Sequence, residues 1–554
     1  MSQTLLLQEY IKPIVHMRQQ FANRKFGLVF GSGISKPFKL PNWNELIKKV
    51  AKNSEVNGAE ILRYKRRNSQ ASITQMLFEH FKAKEIDNLI ADGNTQTKES
   101  DRIINQIWRN IIHKELWSNF DFKFLEENHH PYIDSYIKII RESNLTINYN
   151  FDDTLQTIIT QRRTKEEIAK GDKLFETVHD ERLQFQLNKG IIYHPNGFLP
   201  HELIEGTSDN LVFAEDSFAD QLIASMSGHY STLLHHLSKN TCLFIGLSLD
   251  DSTLKHLLRQ SSIINPGHYH YFVAYAKDKK AISPAQRRAI RESNFDMYNL
   301  VTLFLDDNDI KNLGELIQQS LEVFEDECKI ANAERRFVYY ITGAVGCGKT
   351  TTLSYFRNLT TFSEWPDQRL DLLAKSWDNL KQHERNKVDK WVGTMFHKKN
   401  KNLSHILEGI TVIDRTPLDP LTFTPISKWK QKAKFLHDHI SKGGTFRIVP
   451  GHIILLHGNK DIIASRVKIR QKTSEYDSKK IKMMYDKYNK IFAPIHGGIT
   501  KIETSELSIH EVVKRVAKII HVEEYNSFDL HSVLDNLRNT KKLRNENLHC
   551  STFI

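Results

Sequence analysis

A glycine-rich segment at residues 343–350, reading G-A-V-G-C-G-K-T, has the types and spacing of a phosphate-binding loop. It follows an apolar, strand-like run at 337–341 and opens a helical pattern, the context such a loop requires. Backbone N–H groups would hold the phosphates, Lys349 would reach the β and γ oxygens, and Thr350 would coordinate Mg²⁺. The predicted ligand is ATP or another nucleotide with Mg²⁺. The candidate binding residues are Gly343, Gly346, Gly348, Lys349, Thr350 and Thr351.

A second turn of small residues, at 31–35, follows the apolar run 26–30. Small side chains let the backbone approach a pyrophosphate group, although a tight turn explains the same residues equally well. Asn42 and Glu45 resemble a capping box that opens a helix over 43–51. The candidate ligand-contacting residues here are Gly31, Ser32, Gly33, Ser35 and Trp43.

Three more polar segments follow short apolar runs that are typical of buried strands. Taken singly, each has an ordinary structural explanation, such as a loop-capping asparagine or an acidic helix N-terminus. The segments and their polar or small residues are 149–153 with Asn150 and Asp152, 193–197 with His194 and Asn196, and 246–251 with Gly246, Ser248 and Asp251.

In this order the four segments resemble the motifs of the sirtuin-like superfamily, in particular the bacterial sirtuin-like NAD hydrolases of anti-phage defence. The resemblance covers about residues 20 to 320. It implies NAD as substrate and a catalytic set of Asn150, His194 and Asp152. The residues that it implies as NAD contacts are Gly31, Ser32, Gly33, Ser35, Trp43, Asn196, Gly246, Ser248 and Asp251.

The implied reaction suits these residue types. Cleavage of the nicotinamide–ribose bond passes through an oxocarbenium-like state, so the site must orient the ribose and hold a water. Asn150 could position that water, Asp152 could stabilise positive charge or bind the ribose or carboxamide, and a histidine could accept the proton. The family usually places its histidine directly before the glycine, where this chain has Asn196. His194 and Asn196 therefore both stay candidates for that role.

Asp414 and Arg415 end another strand-like run, and Arg466 and Arg470 lie four residues apart on a predicted helix. Together with Glu364, these features resemble the deoxynucleoside and thymidylate kinase group of P-loop kinases. The resemblance implies that Glu364 lies near the phosphoryl acceptor, that Asp414 and Arg415 form an acidic–arginine signature, and that the two later arginines clamp phosphate. A solvated helix face is the alternative for that arginine pair.

Composition limits the classes of protein. The 554 residues carry 78 Lys and Arg against 66 Asp and Glu, a net charge of +12, with 40% hydrophobic residues. These values favour a globular chain, and the absence of a long apolar run predicts a cytoplasmic protein that does not enter a membrane. The basic residues are spread without interleaved aromatic residues, which disfavours nucleic acid as a partner. The four cysteines are too scattered for a four-cysteine zinc module. The resemblance implies such a module in protein-deacetylating sirtuins, so a protein deacylase is the weaker interpretation.

The pattern of elements predicts an α/β fold with two domains. The first is a sirtuin-like, Rossmann-type parallel sheet with helical insertions over residues 1–328, ending in an amphipathic helix at 309–328. A polar linker at 329–336 leads to a P-loop kinase-like parallel sheet over 337–522. A C-terminal tail at 523–554 follows.

The function predicted from this arrangement is NAD hydrolysis to nicotinamide and ADP-ribose by an anti-phage defence effector. A nucleotide or deoxynucleotide at the second domain would regulate it, and a phage-derived trigger and self-association into a homo-oligomer are further expectations. Three alternatives stay open: a nucleoside or nucleotide kinase with an NAD- or ADP-ribose-binding regulatory domain, an NAD-dependent protein deacylase, and a scaffold in which both nucleotide sites are structural.

Overall fold

Two parallel α/β units, Met1–Ala333 and Glu334–Ile554, make up the chain in the computed structural model. Each unit has its own sheet and its own buried apolar side chains. The structure describes residues 3–66, 68–91, 98–121, 129–171, 174–179, 190–202, 211–226, 231–249, 251–278, 281–374, 379–442, 444–471, 476–492 and 497–539.

The sheet of the first unit has seven strands in the order β3-β4-β2-β1-β5-β6-β7, and the paired strands run parallel. Every residue of β1 and β5 is buried, because helices cover both faces of a parallel sheet. The strands are β1 Phe26–Phe30, β2 Leu145–Asn148, β3 Phe175–Val178, β4 Gly190–Tyr193, β5 Thr241–Ile245, β6 His270–Tyr275 and β7 Leu300–Leu305.

Helices of the first unit connect these strands, and some form an inserted helical layer. Leu46, Leu77 and Trp108, from three successive helices between β1 and β2, belong to an apolar cluster of their own. Its helices are α1 Gln3–Ala22, α2 Trp43–Lys52, α3 Gln70–Ala91, α4 Lys98–Trp117, α5 Ile137–Glu142, α6 Thr154–Gln161, α7 Lys165–Lys170, α8 Glu215–Met226, α9 Ser231–Lys239, α10 Ser252–Ile264, α11 Pro284–Tyr298, α12 Asp307–Gln318 and α13 Leu321–Ala331.

The sheet of the second unit has five parallel strands in the order β12-β11-β8-β10-β9. Its central strand β8 leads directly into the glycine-rich segment 343–350. The strands are β8 Arg336–Gly343, β9 Thr360–Phe362, β10 Gly409–Asp414, β11 His452–His457 and β12 Ile499–Glu503. The helices are α14 Lys349–Leu353, α15 Gln382–Ser404, α16 Trp429–Ile440, α17 Lys460–Gln471, α18 Ser478–Phe492, α19 Ile509–His521 and α20 Leu530–Asn539.

The two parallel sheets confirm the predicted fold class, but three boundaries differ from the sequence prediction. The single helix expected at 309–328 is two helices, because the Ser320 hydroxyl accepts from the Val323 N–H and caps a new one. The first residues of the expected linker 329–336 continue α13 to Ala331, and β8 starts at Arg336.

The segment expected to be a tail from 523 instead includes α20. Leu530, Val533 and Leu534 recur at helical spacing and are buried in the same cluster as Trp429 and Leu436. Three apolar residues at helical spacing are too few to predict a helix from the sequence alone. Residues 540–554 of the predicted tail lie outside the described residues. No helix in the described part of the chain is long and apolar enough to cross a membrane.

Candidate functional site

The predicted residues of the first unit lie on loops at the carboxyl ends of neighbouring strands. β1 pairs with β2 on one side and with β5 on the other, and β2 pairs with β4. The chain order therefore changes direction between β1 and β5. In open parallel sheets the loops at such a reversal form the ligand-binding crevice.

The two glycine loops on either side of this reversal contact each other directly. The Gly33 N–H donates to the Gly246 carbonyl at 2.9 Å, and the Gly31 N–H donates to the Ile245 carbonyl at 3.0 Å. A Cβ on Gly33 would lie 2.7 Å from the Gly246 Cα, and Gly246 itself has φ of +72°. The glycines are thus required by backbone-to-backbone packing, whether or not a pyrophosphate binds beside them.

Asn150 lies in the loop after β2 and is buried by contacts with the first glycine loop. Its side-chain amide donates to the Gly31 carbonyl at 3.1 Å and to the Ser35 hydroxyl oxygen at 3.0 Å. Its own N–H donates to Asn148 Oδ1 at 3.2 Å. The loops after β1 and β2 are therefore joined through the amide of one residue.

Asp152 shares the Ser35 hydroxyl with Asn150. That hydroxyl lies 2.9 and 2.8 Å from the two carboxylate oxygens, and the Thr154 hydroxyl and N–H also donate to the carboxylate. Burial raises the pKa of Asp152, while the donors from Thr154 and Ser35 act in the opposite direction. The Asp152 carboxylate is therefore shielded from water, and hydroxyl and backbone hydrogen-bond donors stabilise its negative charge.

His194 is fully buried, and both of its ring nitrogens are engaged. Nδ1 lies 2.7 Å from the Asn150 carbonyl oxygen, which can only accept, so Nδ1 carries the proton. Nε2 then accepts from the Gln156 amide at 2.7 Å. Burial lowers the pKa of His194 to about 4. In this arrangement the imidazole is neutral and has no nitrogen left for a substrate, unlike the proton acceptor expected from the sequence.

The remaining predicted NAD contacts fall into buried and exposed groups. Asn196 is buried near the Tyr149 carbonyl, and Asp251 caps α10 by accepting from the Leu254 N–H at 2.8 Å. Ser32 and Ser248 are exposed. Trp43 is half-buried, with its ring centroid 5.6 Å from that of Phe151 and 5.0 Å from that of Phe213.

The glycine-rich loop of the second unit adopts backbone conformations that are specific to glycine. Gly343, Gly346 and Gly348 have φ of +145°, +85° and +97°, which favour glycine at each position. The Lys349 ammonium lies 2.9 Å from the carbonyl oxygens of both Gly343 and Ala344, inside its own loop. Thr351 is exposed at the start of α14.

Asp414 at the end of β10 fits the predicted Mg²⁺ site. Its Oδ2 accepts from the Thr350 hydroxyl at 2.7 Å, while its buried Oδ1 has no hydrogen-bond partner among the described residues. Burial raises the pKa of Asp414, and the nearby Lys349 and Arg415 oppose that rise. A hydroxyl and an unsatisfied carboxylate oxygen side by side match the oxygen ligands that Mg²⁺ prefers.

Glu364 and Arg415, both candidate residues of the kinase-like site, form an ion pair that the sequence did not predict. Arg415 Nε donates to the Glu364 carboxylate at 2.8 Å, and its backbone adopts the left-handed φ of +70°. Two unpredicted residues complete this cluster. Asp419 accepts from the Thr342 hydroxyl at 2.8 Å, and the buried Lys399 donates to the carbonyls of Asp414 at 2.7 Å and Glu364 at 3.1 Å.

Burial lowers the pKa of Lys399 to about 8, against the raising effect of Asp414. Lys399 lies in a basic stretch of the sequence, and nothing in that stretch indicates that its side chain is buried beside the ends of β9 and β10. The sequence also did not predict the roles of Thr154 and Gln156. Their hydrogen-bond partners, Asp152 and His194, are brought close by the folding of the loops and not by a local sequence pattern.

Arg466 and Arg470 do not act as a pair. The Arg466 guanidinium donates to the carbonyls of Thr504 and Ser505 at 3.0 and 3.1 Å, whereas Arg470 is exposed. Helix α17 nevertheless lies against the phosphate loop, because a Cβ on Gly346 would lie 2.4 Å from Val467 Cγ2. The predicted double-arginine clamp is therefore not assembled, although its helix contacts the loop.

The SIR2-like domain family matches residues 144–298, a range that includes Asn150, Asp152 and His194 but not the first glycine loop. No curated protein matches the chain. Among solved structures, thymidylate kinase from Ehrlichia chaffeensis is similar at 15% identity over 34% of this chain and 99% of its own, with a TM-score of 0.23. Residues 144–298 are thus similar to a SIR2-like domain, and this similarity supports a sirtuin-like, NAD-related function.

Proposed function

We propose that the first unit hydrolyses NAD to nicotinamide and ADP-ribose. The observation that carries this proposal is the buried polar cluster of Ser35, Asn150 and Asp152 at the carboxyl ends of β1 and β2. It lies beside two glycine loops at the reversal of strand order, the position at which open parallel sheets bind dinucleotides. SIR2-like domains use NAD as their substrate.

The chemistry follows from the charges in this cluster. Departure of nicotinamide leaves positive charge on the ribose, and the dry Asp152 carboxylate can stabilise that charge at short range. The Asn150 amide group is anchored on Gly31 and Ser35, so its side-chain oxygen has a fixed direction in which to hold the attacking water. The leaving group needs little acid catalysis, which suits a cluster without a free histidine.

His194 has a positioning role in this proposal. Its Nδ1–H holds the Asn150 backbone carbonyl, and Gln156 fixes the tautomer that allows this bond. Asn196 occupies the family's usual histidine position as a neutral, buried amide. Once water has added to the ribose and neutralised its positive charge, the proton of that water can pass to solvent or to Asp152.

The second unit is proposed to bind a Mg²⁺–nucleotide that regulates NAD cleavage. The glycine-rich loop, the Thr350–Asp414 pair and the orphaned Asp414 Oδ1 support this part. Mg²⁺ there would neutralise phosphate charge, and Lys349 would exchange its own loop carbonyls for phosphate oxygens. Because unregulated NAD loss would harm the cell, a regulated effector of anti-phage defence is the biological role that we infer.

Product analysis tests the proposal. Purified full-length protein would be incubated with NAD, alone and with a panel of nucleotides and deoxynucleotides plus Mg²⁺, and the mixtures resolved by mass spectrometry. We expect nicotinamide and ADP-ribose in equal amounts. The Glu364–Arg415 pair makes nucleotide phosphorylation the second candidate. A phosphorylated nucleoside without nicotinamide release would favour a kinase, and nicotinamide release that requires an acylated peptide would favour a deacylase.

A further inference from the structure

A histidine–aspartate cluster, defined by His437, His531 and Asp535, lies between helices α16 and α20 of the second unit. His437 is on α16 and is 4% exposed. His531 and Asp535 are one helical turn apart on α20, so both side chains face α16 from the same side. One potential ligand atom from each residue lies within 4.8 Å of the others.

The separations within this cluster suit a shared ion better than mutual hydrogen bonds. His437 Nε2 lies 3.7 Å from Asp535 Oδ1, and His531 Nε2 lies 3.6 Å from Asp535 Oδ2. Both distances exceed the usual N–H···O range of about 2.7–3.2 Å. Ligands bound to one tetrahedral ion at about 2.0–2.1 Å lie roughly 3.3–3.4 Å apart. The two imidazoles face different oxygens of Asp535, so binding through one oxygen requires the three side chains, now within 4.8 Å of one another, to rotate together.

Arg538 supplies the positive charge beside Asp535, but its contacts do not have the geometry of aligned hydrogen bonds. Its NH1 lies 2.9 and 3.1 Å from the two ring nitrogens of His437, a position shared between two atoms rather than aligned on one. Arg538 Nε and Asp535 Oδ1 are 3.1 Å apart, yet both are buried without a hydrogen-bond partner among the described residues. Asp535 Oδ1 is therefore held by the charge of Arg538 without a hydrogen bond, and a metal ion can take the place of that cation.

We propose that His437, His531 and Asp535 bind a divalent first-row transition-metal ion such as Zn²⁺. Two imidazole nitrogens and one carboxylate oxygen are ligands for such ions rather than for Mg²⁺ or Ca²⁺. The ion replaces the Arg538 guanidinium and fastens α20 to α16. Asp438 Oδ1 lies 3.4 Å from His437 Nδ1 and would have to move closer to accept a proton from that nitrogen when Nε2 binds the metal.

Coordination also sets the proton on His531. Binding through Nε2 requires the proton on Nδ1, so the 3.4 Å contact that Nδ1 accepts from the Ile448 N–H is given up. A contact of that length is weak, and its loss is a small cost beside the gain of three metal bonds.

Metal titration of the nucleotide-free, tag-free full chain tests the proposal after chelator treatment. We expect one Co²⁺ per chain, with the visible absorption of a tetrahedral site that Zn²⁺ abolishes. Asp535→Asn, which changes shape little, should weaken binding by on the order of 100-fold, as should His531→Ala. Arg538→Ala should bind several-fold more tightly than the unaltered protein, because it removes the competing cation.

His439→Ala is the matched control, since His439 lies on α16 but contacts the Phe435 carbonyl outside the cluster. Its metal affinity should equal that of the unaltered chain. Thermal unfolding without metal shows whether each variant folds, and Zn²⁺ should raise the melting temperature of the unaltered chain but not of Asp535→Asn. Absence of stoichiometric Co²⁺ binding at micromolar metal, or binding that survives Asp535→Asn and His531→Ala, overturns the proposal.

Discussion

Asn150 is anchored at three places, by its side-chain amide on Gly31 and Ser35 and by its carbonyl on His194. Gly31 and Ser35 belong to the loop after β1 and His194 follows β4, so contacts with two separate segments restrict the rotation of Asn150. Such preorganisation is what a group that holds a reacting water needs, because a small misplacement lowers the rate steeply.

Asn150→Ala is therefore expected to lower NAD cleavage by on the order of 10²-fold or more, since it removes the group that holds the water. Nicotinamide release by the purified variant measures the effect, with circular dichroism to verify folding. Ile168→Ala serves as the control, because Ile168 is 62% exposed on α7 and is not among the residues expected to contact NAD. Unchanged nicotinamide release from folded Asn150→Ala would remove Asn150 from the reaction.

The pH profile separates the two roles considered for His194. Burial lowers its pKa to about 4, so the ring stays neutral throughout the range of about pH 5–8 in which an unperturbed histidine titrates. We expect kcat/KM for NAD to show no inflection from His194 in that range, although His194→Ala should be impaired through Asn150. An acidic limb near pH 6.5 that disappears in His194→Asn would identify the histidine as the proton acceptor instead.

At the scale of elements, the strands of the first unit enclose several buried histidines. Burial lowers the pKa to about 4 for four of them and well below the usual value for the fifth: His130, His194, His236, His268 and His270. They stay neutral in the folded unit but take up protons near pH 6.5 when unfolded.

The unfolded state thus binds more protons below pH 6.5, and the free energy of unfolding of the first unit should fall as the pH drops from about 6.5 to about 4. Each histidine that shifts to about 4 contributes up to about 3 kcal/mol of this loss. Urea unfolding at a series of pH values measures it. His236→Gln should flatten the dependence, and a slope equal to that of the unaltered chain would contradict the assignment.

Elements were easier to predict than the contacts between them. The strands around 26–30 and 337–341 were predictable because apolar β-branched and aromatic runs end in glycine turns. Placing Asn150 and Asp152 at one sheet edge follows from the same logic, since parallel strands end together. Contacts between distant segments leave no local pattern in the sequence. Examples are the hydrogen bonds of the His194 ring with Gln156 and Asn150, and that of the Arg466 guanidinium with Thr504.

For the whole molecule, the prediction concerns coupling between the two units. Nucleotide bound at 343–350 should change the rate of NAD cleavage, and Lys349→Ala should abolish that change by weakening nucleotide binding. Coupling of this kind typically amounts to about 1–3 kcal/mol, or roughly 5- to 150-fold in affinity. NAD hydrolysis would be measured across nucleotide concentrations for both proteins. Nucleotide affinity with and without NAD supplies the reciprocal check, and equal values throughout would make the two units independent.

The direct packing of the two glycine loops has a consequence for local motion. Gly33 and Gly246 share a backbone hydrogen bond, and β1 and β5 beneath them are fully buried. The Gly33 amide proton can exchange with deuterated water only when the two loops separate. Its exchange should therefore be slower than that of the amide of the exposed Ser32 beside it, and it reports directly on the opening of the crevice.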